Sequence, residues 1–212
     1  MQDNIDLIVK YFPGLSDNQK QQFKSLHYLC LSWNEKVNLI SRKDIDFLQE
    51  RHVLHSLAIA KFFDFQSDTK IMDAGTGGGF PGIPLSILFP EADFLLVDSI
   101  GKKIIAVKDL VHNLGLKNVR VKQERIEKIS DKFDYIVSRA VTRLKLFYMW
   151  TKDKIRDKAE YQNYNGIIYL KGGDLSSEIE ELQQQVKVYN INTYFRETFF
   201  ESKKIVFIPK LK

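Results

Sequence analysis

Apolar residues recur at helical spacing through the first third of the chain, then give way to short apolar runs that end at glycines. Phe23, Leu26, Leu29, Cys30 and Trp33 fall on one helical stripe. Ser16 stands ahead of it with Gln19 three residues on, the spacing of a capping box that satisfies the first free N–H groups. A second helix is predicted from Asp44 through Phe47, Leu48 and Arg51 to Leu54, and it or a third continues through Leu57, Ala58 and Phe62. Residues 1–65 therefore read as an N-terminal helical extension, and residues 66–212 as a second unit.

The pattern changes near residue 70. KIMDAG is a short apolar strand closed by a glycine turn, followed by a helix over 83–89. ADFLLVDS is the next strand, and KKIIAVKDLVHNLGL a helix with a stop at Gly115. NVRVKQ and FDYIVSRA are strands, then come an aromatic-rich helix near 143–155, the strand GIIYLKGG and a helix over about 175–187. VKVYNINTYF and KKIVFIPK complete seven strand candidates. Strands alternating with helices call for a mainly parallel sheet with right-handed crossovers. The short link between the last two predicts an antiparallel hairpin at one edge.

Composition narrows the class. The 212 residues and 44% hydrophobic content suit one ordinary domain with a small appendage. No apolar run approaches the ~20 residues that span a bilayer, and MQDNIDLIVK has no apolar h-region, so neither an anchor nor a secretory signal is expected. Cys30 is the single cysteine, which excludes an internal disulfide and points to a reducing, cytoplasmic setting. The net charge of +5 is uneven: residues 1–70 hold nine basic and nine acidic side chains, so the whole excess lies in 71–212. A polyanionic partner is compatible with that distribution.

The segment Asp73-Ala74-Gly75-Thr76-Gly77-Gly78-Gly79-Phe80-Pro81-Gly82 carries the chemistry. Gly77, Gly79 and Gly82 match G-x-G-x-x-G, which by itself signals a dinucleotide site. Five glycines in eight residues exceed what a tight turn needs, so close approach of a ligand to the backbone is expected. Asp73 decides the ligand at this stage. A fixed carboxylate beside a pyrophosphate repels it, whereas the ammonium of S-adenosylmethionine favours one. Asp98 closes the second strand 23 residues after Gly75, where a carboxylate accepts ribose hydroxyls, and Ser99 follows it. Asp98 alone does not separate S-adenosylmethionine from NAD. Ile126-Glu127 reads equally as an adenine contact or a charged helix start.

Taken together these residues resemble the small-subunit ribosomal RNA methyltransferase G family, also called glucose-inhibited division protein B. The matching blocks are Trp33-Asn34 with Asn38-Leu39, Arg51-His52 followed by Ser56, and Asp73 through Pro84. They continue with Asp98-Ser99, Lys102-Lys103, Ser138-Arg139-Ala140 and Leu170-Lys171-Gly172. The resemblance implies an α/β class I S-adenosylmethionine-dependent methyltransferase, Rossmann-like, with a mainly parallel seven-stranded sheet behind the helical extension. It implies methylation of N7 of one guanine in the decoding-region loop of 16S ribosomal RNA, on the RNA or the small ribosomal subunit. It also implies cofactor contacts from Gly75, Phe80, Asp98, Ile126-Glu127 and Arg139, alongside the loop residues Asp73, Gly77 and Gly79 and the strand-end Ser99. The chain departs from the family at His55, where Asp is usual, at Ile40, where Thr is usual, and at Lys203-Lys204, where Arg-His is common.

The reaction class sets what else is needed. N7 of guanine has a lone pair and no proton to lose, so positioning supplies most of the catalysis and no general base is named. Cytosine C5 methylation normally uses a cysteine nucleophile, but Cys30 sits on an apolar stripe and reads as core. The place of an exocyclic-amine tetrapeptide holds Ser138-Arg139-Ala140. Arg139 is the positioning candidate. His52 and His55 lack further ligands for a metal and read as packing or phosphate contacts. Lys152, Lys154, Arg156 and Lys158, with Tyr161 and Tyr164, read equally as a nucleic-acid surface or a solvated face. No membrane, metal or obligate protein partner is expected. A small-molecule methyltransferase on the same fold is the alternative.

Overall fold

The computed structural model describes residues 5–41, 43–157 and 165–211. Two helices open the chain, α1 (Asp6–Tyr11) and α2 (Asp17–Lys36). Ser16 caps α2 as its spacing predicts: its Oγ accepts from the Gln19 N–H at 3.2 Å, and Gln19 Oε1 accepts from the Ser16 N–H at 2.9 Å. The predicted second helix exists as a continuous helical path with changing pitch. A 3₁₀ turn (Ile45–Phe47) leads into a π-helix (Leu48–Leu54), one α turn, α3 (His55–Leu57), and a second 3₁₀ turn (Ala58–Lys61).

The remainder alternates as expected: β1 (Lys70–Ala74), α4 (Gly82–Leu88), β2 (Asp93–Asp98), α5 (Gly101–Asn113), β3 (Val119–Gln123) and β4 (Tyr135–Arg139). Then follow α6 (Leu144–Thr151), β5 (Gly166–Gly172), α7 (Ser176–Leu182), β6 (Lys187–Asn190) and β7 (Lys203–Pro209). The seven strands lie in the order β3-β2-β1-β4-β5-β7-β6. The first five are parallel, β7 runs antiparallel to β5, and β6 pairs antiparallel with β7 at the edge. Two elements are shorter than their patterns suggest. The helix expected to reach residue 187 ends at Leu182, because Gln183 turns left-handed with φ 53°. The strand expected through Phe195 ends at Asn190, where a 3₁₀ turn swings Ile191 and Phe195 into the core.

Alternation along each strand divides the interior into two layers. Ile71, Leu96, Val137 and Ile168 face one side, and there the N-terminal helices pack through Phe23, Leu26, Cys30, Leu54 and Leu57, in one cluster with Val107 and Leu110 of α5. Met72, Leu95, Ile136 and Ile167 face the other, beneath Leu144, Phe147 and Leu182. The helical extension is thus a cover on the sheet rather than an appendage with its own core. Gln19 stitches it down, donating to the Ile87 and Leu88 carbonyls at the end of α4 at 2.9 and 3.2 Å.

Removing the cap hydroxyl with Ser16→Ala should cost about 1 kcal/mol. Gln19→Ala should cost more, because it also releases the two carbonyls that end α4. Urea unfolding of both variants measures the difference, and equal losses would show that the stitch contributes nothing.

Candidate functional site

At the carboxyl ends of the parallel strands lies a cavity of about 480 Å³. Gly75, Thr76, Gly77 and Gly78 form one wall, Asp98, Ser99 and Ile100 the floor, and Ile126, Glu127 and Arg139 the far side. Strand carboxyl ends at a topological switch point are where such sheets bind ligands, and the volume lies in the range of small-molecule sites. Of the ten residues expected at a cofactor, eight line this cavity: Gly75, Gly77, Phe80, Asp98, Ser99, Ile126, Glu127 and Arg139. Asp73 and Gly79 do not.

Both of those residues serve the loop from behind. Asp73 is wholly buried. Its Oδ2 accepts from Thr76 Oγ1 at 2.6 Å and from the Gly82 N–H at 2.8 Å, drawing the two ends of the loop together. Its Oδ1 is buried without a partner among the described residues. Burial pushes the carboxyl up to about 7, against the pull of those two hydrogen bonds. Its carboxyl group therefore lies behind the loop and does not line the cavity, so the expected choice between the two cofactors does not rest on a carboxylate exposed there. Gly79 has φ 94°, a conformation that strains any residue with a Cβ, and a Cβ there would also displace Ile83 Cδ1, 2.4 Å away, so this glycine serves the shape of the loop. Gly77 is different. It has φ 57° and a Cβ would meet nothing nearer than Lys103 Nζ at 4.0 Å, so a side chain there would occupy the cavity.

Asp98 closes the floor, and each of its oxygens accepts one backbone N–H at 2.9 Å, from Gly77 and from Ile100. A carboxylate has about four acceptor positions, so two remain for a ligand.

A second cavity of about 680 Å³ adjoins the first, and Arg139, Ala140 and Val141 line both. This shared wall is held from β5. The Val141 and Thr142 N–H groups donate to the Tyr169 hydroxyl at 2.9 and 2.8 Å, and that hydroxyl donates to the Thr142 carbonyl at 2.8 Å. Ala140 takes φ 53°, a conformation rare for a residue with a Cβ. Arg139 reaches from the end of β4 to the N-terminal helices, donating to His52 Nδ1 at 2.8 Å and to the Arg51 carbonyl at 3.2 Å. Burial brings its guanidinium down to about 10, still charged at neutral pH. Burial, then the charge of Arg139, hold the His52 ring down at about 3, and burial holds His55 well below its ordinary value.

The second cavity also holds Arg51, Arg143, Lys171 and Lys203, with Phe199. Arg51 pairs with Asp44, Arg143 with Glu181 and Lys171 with Glu178. Arg139 and Lys203 have no carboxylate partner among the described residues. The basic cluster expected beyond α6 is elsewhere and largely committed. Lys154 is buried and donates to the Glu127 and Ile129 carbonyls, and Arg156 pairs with Asp134 beside the start of β4. Lys152 remains exposed but lies beside the start of β5, at the sheet end away from both cavities. Lys158, Tyr161, Tyr164 and Arg42 lie outside the described residues. The second cavity could not be read from spacing, because His52 and Arg139 are 87 positions apart. Among the described residues no group of three His, Cys, Asp or Glu is placed for a metal, and no helix is long and apolar enough to cross a membrane.

The fold is that of S-adenosylmethionine-dependent methyltransferases. A solved methyltransferase of this kind from Aquifex aeolicus superposes with a TM-score of 0.59 at 15% identity, covering 81% of this chain and 100% of that one. A ribosomal protein L11 methylase from Lactobacillus delbrueckii gives 0.55 at 15% identity, over 74% of this chain and 77% of that one. The family is narrower than the fold. Residues 19–206 match the model of the rRNA small subunit methyltransferase G family, and the chain belongs to it. A Cytophaga hutchinsonii protein, ribosomal RNA small subunit methyltransferase G, is 54% identical across 97% of this chain and 99% of its own. The Bacteroides thetaiotaomicron protein of the same name is 48% identical across 96% and 98%.

Asp73 yields a pH prediction. In the fold its carboxyl keeps a proton up to about 7, whereas the unfolded chain releases it near 3.8. The folded state thus binds more protons between those values, and this group's contribution is complete below about pH 4 and lost as pH climbs through 7. Asp73→Asn cannot ionise. Its melting temperature relative to the parent should rise between pH 5 and pH 8, and a constant difference would show that Asp73 is not held protonated.

Proposed function

We propose that this protein binds S-adenosylmethionine in the 480 Å³ cavity and methylates N7 of a guanine in the decoding-region loop of 16S ribosomal RNA, in the cytoplasm. The observation that carries this reading is the shared wall Arg139–Val141, which sets a nucleoside-sized cavity against a cation-lined one. Asp98 would take the ribose hydroxyls, Ile126 the adenine, and the Gly75–Gly78 backbone the methionine portion. The fit rests on Gly77, whose missing side chain leaves the cavity open. Bound there, the cofactor would supply an electrophilic methyl group, and guanine N7, which has a lone pair and no proton to lose, would need no base from the protein. The protein's part is to hold base and donor in line and to keep the site dry. The cations Arg139 and Lys203, which have no carboxylate partner among the described residues, suit a phosphate-bearing acceptor.

Calorimetry should show binding of S-adenosylmethionine and its demethylated product and none of NAD. Gly77→Leu should abolish binding, and Asp98→Ala should weaken it by about 1.5–3 kcal/mol. Asp98→Ala should also lower the melting temperature, because two loop N–H groups lose their acceptor. NAD binding in place of S-adenosylmethionine would overturn the cofactor.

RNA affinity should fall steeply with salt while cofactor affinity barely moves. Lys203→Ala should reduce the slope of log affinity against log salt by about 0.7, one single-strand phosphate contact. Lys152→Ala, at the opposite end of the sheet, should leave it unchanged. The reverse result would move the RNA surface away from the second cavity.

A further inference from the structure

We propose that His52 is the specificity-determining hydrogen-bond donor of the second cavity, its Nε2–H meeting O6 of the guanine whose N7 takes the methyl group. This rests on the methyltransferase reading above and adds the residue that recognises the base.

The tautomer follows from the partner. A guanidinium carries donors and no acceptor, so the 2.8 Å contact from Arg139 Nη2 requires a lone pair on His52 Nδ1. The ring is neutral at physiological pH, because burial and the adjacent guanidinium both disfavour a second proton. A neutral imidazole with a bare Nδ1 carries its proton on Nε2. No partner for Nε2 exists among the described residues, and the ring lines the cavity. His55, the other imidazole there, is only 5% exposed and packs edge-on against Phe199 and Phe200, so it backs the wall. The His52 ring is itself set by the Phe80 edge at 5.5 Å, and Phe80 lines the cofactor cavity.

The chemistry of the base supplies the rest. O6 and N7 of guanine lie on one edge and both accept, whereas adenine presents an N6 amino donor beside N7. A fixed donor next to the reacting nitrogen therefore welcomes guanine and meets adenine donor to donor. N7 is left free to attack, and a neutral donor adds no charge beside the cationic base that forms.

The test uses small subunits reconstituted with 16S RNA carrying either guanine or 2-aminopurine, which keeps N7 and lacks O6, at the acceptor position. Single-turnover rates are measured for the parent protein, His52→Ala and His52→Gln. The parent should methylate the guanine substrate roughly 5- to 150-fold faster than the 2-aminopurine one, the span of a good base contact. His52→Ala should lose a similar factor on guanine and nothing further on 2-aminopurine. His52→Gln should restore the discrimination, since its amide oxygen accepts from Arg139 and its N–H₂ donates forward. Cofactor affinity of each variant and the melting temperature of His52→Gln should match the parent; His52→Ala, which leaves an Arg139 N–H without its acceptor, should melt lower, and His52→Gln carries the test if the alanine variant folds poorly. Equal parent rates on both substrates, or an equal slowing of His52→Ala on both, would overturn the assignment. Absence of 7-methylguanine with the parent protein would instead overturn the reading beneath it, and the assignment with it.

Discussion

The guanidinium of Arg139 ends β4, yet its hydrogen bonds go to the N-terminal helices, to the His52 ring and the Arg51 carbonyl. Together with the His52–Phe80 ring contact and the shared apolar core, these hydrogen bonds join the helical cover to the carboxyl ends of the parallel strands. The two hydrogen bonds, and the Phe80 ring 5.3 Å beneath it, offset the burial of a charge with no carboxylate partner. By standing between the two cavities it also makes them two.

Around that divider, strain and rigidity are concentrated where ligands would meet. Ala140 adopts a left-handed conformation, and the Tyr169 hydroxyl uses its donor and both acceptor positions to hold the following residues. Opposite, Val141 packs so closely that a Cβ at Gly75 would stand 2.5 Å from it. The glycine loop is thus locked on both flanks, by Asp73 from below and by Val141 from the side. Such a loop is preorganised, so little ordering entropy remains to oppose ligand binding.

Charge is arranged more sparingly than the net value of +5 implies. Most cations of the second cavity already hold carboxylates; of these pairs Arg143–Glu181 is exposed and contributes little stability, while Lys171–Glu178 is largely buried. Among the described residues that line the cavity, this leaves Arg139 and Lys203 as the cations without a carboxylate partner. Two departures from the family pattern bear on this. His55, where the resemblance leads one to expect aspartate, is buried close enough to Arg139 for the guanidinium charge to help hold its ring neutral. Ile40, in place of the usual threonine, is 4% exposed and belongs to the core, so that change is one of packing.

Elements with a strong local cause were legible in the chain. The capping box at Ser16 and Gln19, the period-2 strands and the glycine turn after β1 each follow from interactions within a few residues. Eight of the ten expected cofactor residues line the cavity because motif spacing maps directly onto strand ends. The side of the loop that Asp73 faces was not legible, since a strand-end carboxylate turns inward or outward according to what Thr76 and Gly82 offer it. Nor was the fate of Lys154 and Arg156, which a helical count treats as a surface and which tertiary partners consume. The second cavity exists only in three dimensions. Its walls come from segments near residues 52, 139, 171 and 203, and packing between distant elements, which no local spacing records, brings them together.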